Sequence, residues 1–262
     1  MSHYILITIS VLASTLSLAQ DTLSFPAVKN ITAFAIDAKG NQYVSDNSLT
    51  LYKFDAAGKR ITNVNIKSYG DITSIDCTNP FELYVYYQDQ NIIVFYDNML
   101  NQRGELRLND LYFNNVACIA RSFDNNIWLV DLSRYKLLKI NKKGEELAES
   151  PFLNNILGHT FHPTRLWEEN NNVYIVDTSN GIHQFDMYAT FATTYFHPGI
   201  TDAFSLGDRF VLKQGSRLFA YHKLLRNPVE LKVAVPSAGI LTYNKTYVYN
   251  SVGSLLIKQL LH

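Results

Sequence analysis

The sequence is short of the features that usually announce a function. It contains only 2 cysteines in 262 residues, too few for a disulfide-framework mini-protein. Its 23 basic residues are balanced by 23 acidic ones, which leaves no cationic field to hold a phosphate backbone and excludes nucleic acid as a partner. No stretch of roughly 20 apolar residues runs without a charge beyond the N-terminus, so nothing later in the chain reads as membrane-spanning. A sustained 3.6-residue hydrophobic period is missing, which argues against a helical fold. There is no Gly-x-Ser-x-Gly elbow, no phosphate loop and no zinc-protease helix. What is present is a hydrophobic fraction of 47%, enough to exclude a disordered chain, and 13% aromatic residues. The length suits a single all-β domain.

The first twenty residues contain no Asp, Glu, Lys or Arg. An apolar stretch from Ile5 to Leu16 is followed by Ser17-Leu18-Ala19, small residues at the positions a signal peptidase reads. Residues 1–19 are therefore expected to be a secretory signal peptide and residues 20–262 a single domain. No cysteine follows the cleavage site, so a bacterial lipid anchor is not expected. The mature chain is expected to be exported, soluble, and periplasmic or extracellular.

Internal repetition decides the expected fold. Short apolar strands followed by Asp or Asn turns begin at Ile31, Ile72, Val116, Pro163, Ile200 and Ser237, at intervals of 37 to 47 residues. Each leads to a second and a third apolar strand, as in NQYVSD and LTLYKFD of the first unit. A fourth, more polar strand is expected at residues 63–67, 105–108, 146–152, 192–196 and 229–235. The sixth unit runs out of chain, whereas residues 22–28 form a β-prone segment left over before the first repeat. Four-stranded sheets repeated radially, with the N-terminal strand completing the last, would leave no open edge. The expectation is an all-β, six-bladed β-propeller of four-stranded antiparallel blades, its N-terminal strand closing the last blade. A β-sandwich and a seven-bladed ring are the competing folds, and the complementarity of the two termini argues against both.

Tyr43–Asp46 with Leu51–Lys59, Trp128–Asp131 with Leu137–Glu145, and Tyr174–Asp186 resemble the NHL-type repeat, an apolar-Val-Asp strand followed by a strand and an Asp-x-x-Gly turn. The other three units depart from it, with Gln88-Asp89, Lys213-Gln214 and Asn250-Ser251 at the Asp position. The resemblance implies a propeller and leaves function open.

Asp46, Asp131 and Asp177 recur at the end of the second strand, where a carboxylate accepts hydrogen bonds from the amides of its own turn. Their expected role is structural. Asp37, Asp76, Asp124 and Glu168-Glu169 end the inner strands, which brings carboxylates towards the axis. His159, His162 and His197 lie in connections leading into the fourth and fifth units, where a metal would draw on them, although three donors must converge. Polar loop histidines are the default, and no metal or other cofactor is expected. An oxidising compartment permits a disulfide between Cys77 and Cys118, while the apolar run around Cys118 favours a buried free thiol. Tyr84, Tyr86, Tyr87, Phe95, Tyr96, Tyr112 and Phe113 crowd the second unit, where packing against neighbouring blades is the simplest use for them.

The absence of a catalytic constellation, the neutral charge and the rigid ring lead to the expectation of a non-enzymatic extracytoplasmic binding or scaffold module. By size and export the chain is similar to accessory propellers of outer-membrane secretion or assembly machinery, which implies a protein partner in the cell envelope such as an outer-membrane translocon. The alternative is a metal-dependent lactonase or hydrolase with carboxylates at the central axis.

Overall fold

A computed structural model describes residues 21–260 apart from 66, 159, 160, 234, 237–240, 245, 246, 253 and 254. The expected signal peptide, the junction at its cleavage site and His159 lie outside the described residues.

Five blades follow one another along the chain, each a four-stranded antiparallel sheet in which consecutive strands are neighbours. Their inner strands are Ile31–Ile36, Ser74–Asp76, Val116–Arg121, Pro163–Glu169 and Asp202–Leu206. A further four-stranded sheet joins the two ends of the chain: Asp21–Ser24 pairs with Leu255–Leu260, which pairs with Tyr247–Val252 and then Leu241–Asn244. The expectation of six blades is thus corrected to five continuous blades plus a sheet assembled from both termini. The N-terminal strand does pair with the last strand, in a register running from Asp21 opposite Lys258 to Ser24 opposite Leu255.

Middle strands are largely buried between neighbouring blades, so buried positions run consecutively along them rather than alternating. Gln42–Asp46, Thr50–Phe54 and Ile127–Asp131 show this pattern, whereas the outer strand Arg60–Asn65 alternates towards solvent. The core is divided into inter-blade layers. Tyr43 and Leu51 of the first blade meet Val85, Tyr87 and Val94 of the second. Tyr84, Tyr86 and Phe95 on its other side meet Ile119, Ile127 and Leu129 of the third. The aromatic crowd of the second blade is therefore mostly packing material. Its hydroxyls stay satisfied, with Tyr84 donating to the Asn125 carbonyl and Tyr86 to the Val116 carbonyl, each at 2.7 Å. Tyr112 is the exception and is exposed.

Turn chemistry pins the strands. Asp37, Asp55, Asp97, Asn141 and Asp186 each accept backbone N–H bonds from the residues two and four positions on, within 2.8–3.0 Å. The residue three positions on takes positive φ: Gly40, Gly58, Leu100, Gly144 and Ala189. Regular helix is confined, among the described residues, to Leu153–Leu157 and the 3₁₀ turn Asn109–Leu111. Among the described residues no helix is long and apolar enough to cross a membrane.

Cys77 and Cys118 are free and buried. The disulfide is not formed because the two thiols serve different packing layers, Cys77 between the first and second blades and Cys118 between the third and fourth. Burial pushes the Cys118 thiol up to about 12, and burial together with the Asp76 and Asp37 carboxylates raises Cys77 well above the ordinary thiol range. Neither thiol should react with Ellman's reagent in the native protein, and both should titrate after denaturation; rapid native modification of either would contradict this placement.

Candidate functional site in the axial cavity

The inner strands surround a cavity of about 950 Å³. Strand pairing places one residue of each blade at a common level near the first end of the inner strand. Ala33 stands opposite Ser45, Ser74 opposite Tyr86, Cys118 opposite Val130, Arg165 opposite Val176, and Asp202 opposite Lys213. All five inner-strand members of this level, and Lys213, line the cavity. In the first three blades the level is small and neutral, as close packing around an axis favours. In the fourth and fifth it carries Arg165, Asp202 and Lys213.

The Arg165 guanidinium donates to both oxygens of Asp202, at 3.0 and 3.1 Å, with both side chains partly exposed to the cavity. Lys213 is almost wholly buried, at 2% exposure. Burial holds its ammonium below the ordinary lysine value, opposed by the nearby Asp202 carboxylate. A blade needs no such group for packing, and burying an ammonium is costly, so this departure from the repeat calls for a functional reason.

Further along the cavity lie Phe34, Ile75, Ile119, Leu166 and Phe204, and then the acidic end with Asp37, Asp76, Glu168 and Glu169. Those carboxylates are largely committed to the protein. Asp37 accepts from Lys39, Asn41 and Tyr43, and Asp76 from the Thr78 and Arg121 amides. Glu169 accepts from Ser205 and Lys223. Glu168 accepts from the Trp128 indole N–H at 2.6 Å through Oε2. Its Oε1, and the indole Nε1 of the adjacent Trp167, are buried without hydrogen-bond partners among the described residues. Both residues line the cavity, on opposite faces of their strand, and each unpaired group is one that a ligand with a complementary group would satisfy.

The other expected site residues lie apart from this cavity. Asp46 accepts from the Lys29 and Ser48 amides, and Asp131 from the Ser133 amide. Asp177 accepts from the His162 and Ser179 amides and from the His183 ring. All three carboxylates are buried and sit opposite the first residue of their inner strand, where each of these strands carries a bulge. The blades without this Asp, the second and fifth, pair there without a bulge. His162 bonds Ser179 through Nδ1, and His197 packs on Phe219 in a tilted arrangement with centroids 5.0 Å apart. Burial and the Arg217 charge lower the His197 ring below the usual histidine value. No group of three metal-ligating side chains converges among the described residues. Sequence reading missed Arg165, Asp202 and Lys213. The signal was available: aligned on their strands, the repeats show charge in PTRLWEE and ITDAFSL where ITAFAID and VACIA have Ala33 and Cys118.

No family model matches the chain, so the NHL-type likeness stays at the level of strand and turn pattern. No curated protein matches it either. Among solved structures, the fold is similar to a catalytically inactive variant of virginiamycin B lyase from Staphylococcus aureus with quinupristin. That likeness has a TM-score of 0.69 at 12% identity and covers 94% of this chain and 100% of that one. A streptogramin B lyase structure gives 0.66 at 11% identity, covering 94% and 88% respectively. A computationally designed protein gives 0.54 at 12%, covering 88% and 71%. At such identities the likeness is one of fold. It nevertheless overturns the expectation of a non-enzymatic scaffold, which rested on a ring with no recognisable catalytic motif: lyases are built on the same architecture.

Proposed function

We propose that this chain is an enzyme-type propeller that performs acid–base chemistry on a small carbonyl-containing substrate in its axial cavity. The observation that carries the reading is the concentration of Arg165, Asp202 and Lys213 at one level of a ring whose other described blades are neutral there. The lyases that share the fold support an elimination or a related proton-transfer reaction over a purely adhesive role.

In this reading Arg165 presents donors to a carbonyl or carboxylate oxygen, where negative charge grows as a neighbouring proton is withdrawn. Lys213, in its neutral form, takes that proton, and desolvation makes the neutral form accessible at lower pH than for a surface lysine. Asp202 orients the guanidinium. Trp167 and Glu168 supply the further hydrogen bonds that fix the substrate's orientation. We also read the terminal sheet as the sixth blade of a closed ring, since its strand Leu241–Asn244 packs beside both Ile31–Ile36 and Asp202–Leu206.

The test is a turnover screen over esters, lactones and carbonyl compounds with a β leaving group, run in parallel on the native protein and Arg165→Met. At least one class should be turned over, with kcat/KM falling about 100-fold in the variant. Activity that survives the substitution would remove the assignment.

A further inference from the structure

The fourth blade carries a second departure from its sisters, away from the level of Arg165 and Lys213. In the first and third blades the serine two positions after the turn carboxylate donates its hydroxyl to that carboxylate, Ser48 to Asp46 and Ser133 to Asp131, each at 2.5 Å. The corresponding hydroxyl of the fourth blade, Ser179, pairs instead with Nδ1 of His162, at 2.9 Å. Two histidines accompany this change. His162 stands just before the inner strand, where the other two blades have Asn30 and Asn115. His183 pairs across the strand with Ile175, where they have Tyr52 and Leu138, and its Nε2 meets Asp177 Oδ2 at 3.1 Å.

Asp177 Oδ1 accepts both the His162 amide, at 3.1 Å, and the Ser179 amide, at 3.0 Å. One buried carboxylate thus fixes the two backbones relative to each other, and the side chains meet on the exposed side of that joint. His183 is held in turn by Thr194, at 2.9 Å. His162 is exposed and Ser179 half-buried, so the pair lies within reach of solutes.

We propose that Ser179 and His162 form a nucleophile–base pair that accepts acyl groups from small esters, independently of the chemistry assigned to Arg165 and Lys213. With the imidazole proton on Nε2, Nδ1 is free to act as base. Ser179 Oγ attacks the ester carbonyl carbon, and its proton passes to His162 Nδ1. The ester C–O bond breaks as the same proton moves to the departing alkoxide, which leaves as the alcohol. Water then releases the acyl group as the carboxylic acid and restores the serine hydroxyl.

Reaction of the purified protein with p-nitrophenyl acetate, followed by peptide mass mapping, tests this directly. Ser179 should be acetylated at least tenfold faster than Ser48 and Ser133 in the same molecules, a contrast that requires no variant. His162→Gln should reduce labelling of Ser179 at least tenfold, while Ser133→Ala leaves it unchanged. Equal labelling of the three serines, or undiminished labelling of Ser179 in His162→Gln, would overturn the proposal.

Discussion

Gly181→Ala is expected to cost the protein about 3 kcal/mol or more of stability, a lowering of the melting temperature by roughly 6–12 °C for a domain of this size. Gly181 opens the third strand of the fourth blade with φ at 127°, a region L-residues with side chains rarely occupy. A Cβ there would stand 2.2 Å from the Tyr195 carbonyl oxygen and 2.7 Å from the His197 amide nitrogen. Both are backbone atoms flanking Phe196, which pairs with Gly181 on the outer strand, so no side-chain rotation relieves the overlap. The strand must move instead, and with it the His197 amide, which donates to the Asn180 carbonyl. Gly207 provides the comparison. It also has positive φ, at 60°, but a Cβ there meets nothing within 4 Å. Gly207→Ala should therefore cost only the conformational part, about 1 kcal/mol. Thermal unfolding followed by circular dichroism measures both, and similar losses for the two variants would contradict the packing described.

Lys213→Met should abolish turnover, lowering kcat by at least 100-fold, without a comparable loss of stability. The lysine is buried and its ammonium is held below the ordinary lysine value mainly by desolvation. For such a group the unfolded chain binds the proton more readily than the folded one, so its presence costs stability at neutral pH and that cost shrinks as pH rises. Replacing it with an apolar side chain of similar length removes the cost, while Asp202 keeps its partner Arg165. The variant should then still unfold in a single cooperative transition and yet be inactive. The native protein's kcat/KM should rise with pH to a midpoint below that of an ordinary lysine, and the residual activity of Lys213→Met should lack this limb. A flat profile in the native protein, or retained activity in the variant, would place the base elsewhere.

The architecture was legible because a propeller repeats its hydrophobic pattern as many times as it has blades. The inner strands at Ile31, Val116 and Pro163 begin where the sequence pattern places them. Outer strands were harder to bound: those expected from residues 63 and 105 begin at Arg60 and Gln102. The reason is local. The preceding Asp55 and Asp97 turns close at Lys59 and Asn101, and pairing starts at once, on polar residues that carry no apolar signal. Residues 150–152 leave the expected strand because the chain turns there into the helix Leu153–Leu157, whose Leu153 is buried between the third and fourth blades. The cavity site was hidden for a different reason. Charges at one level of a ring come together only through the pairing register, and Arg165, Asp202 and Lys213 are scattered over 49 positions of sequence. Reading each blade alone, Asp202 is one more turn residue and Lys213 merely a break in the Asp pattern.

The most direct measurement is a crystal structure of the protein with a substrate or inhibitor found in the turnover screen. The ligand should lie inside the axial cavity, with a carbonyl or carboxylate oxygen within hydrogen-bonding distance of the Arg165 guanidinium, the Lys213 amine beside the carbon that loses its proton, and Trp167 Nε1 or Glu168 Oε1 newly paired. A ligand seated on the outer surface of the blades, with the cavity empty and Arg165 and Lys213 untouched, would contradict the account.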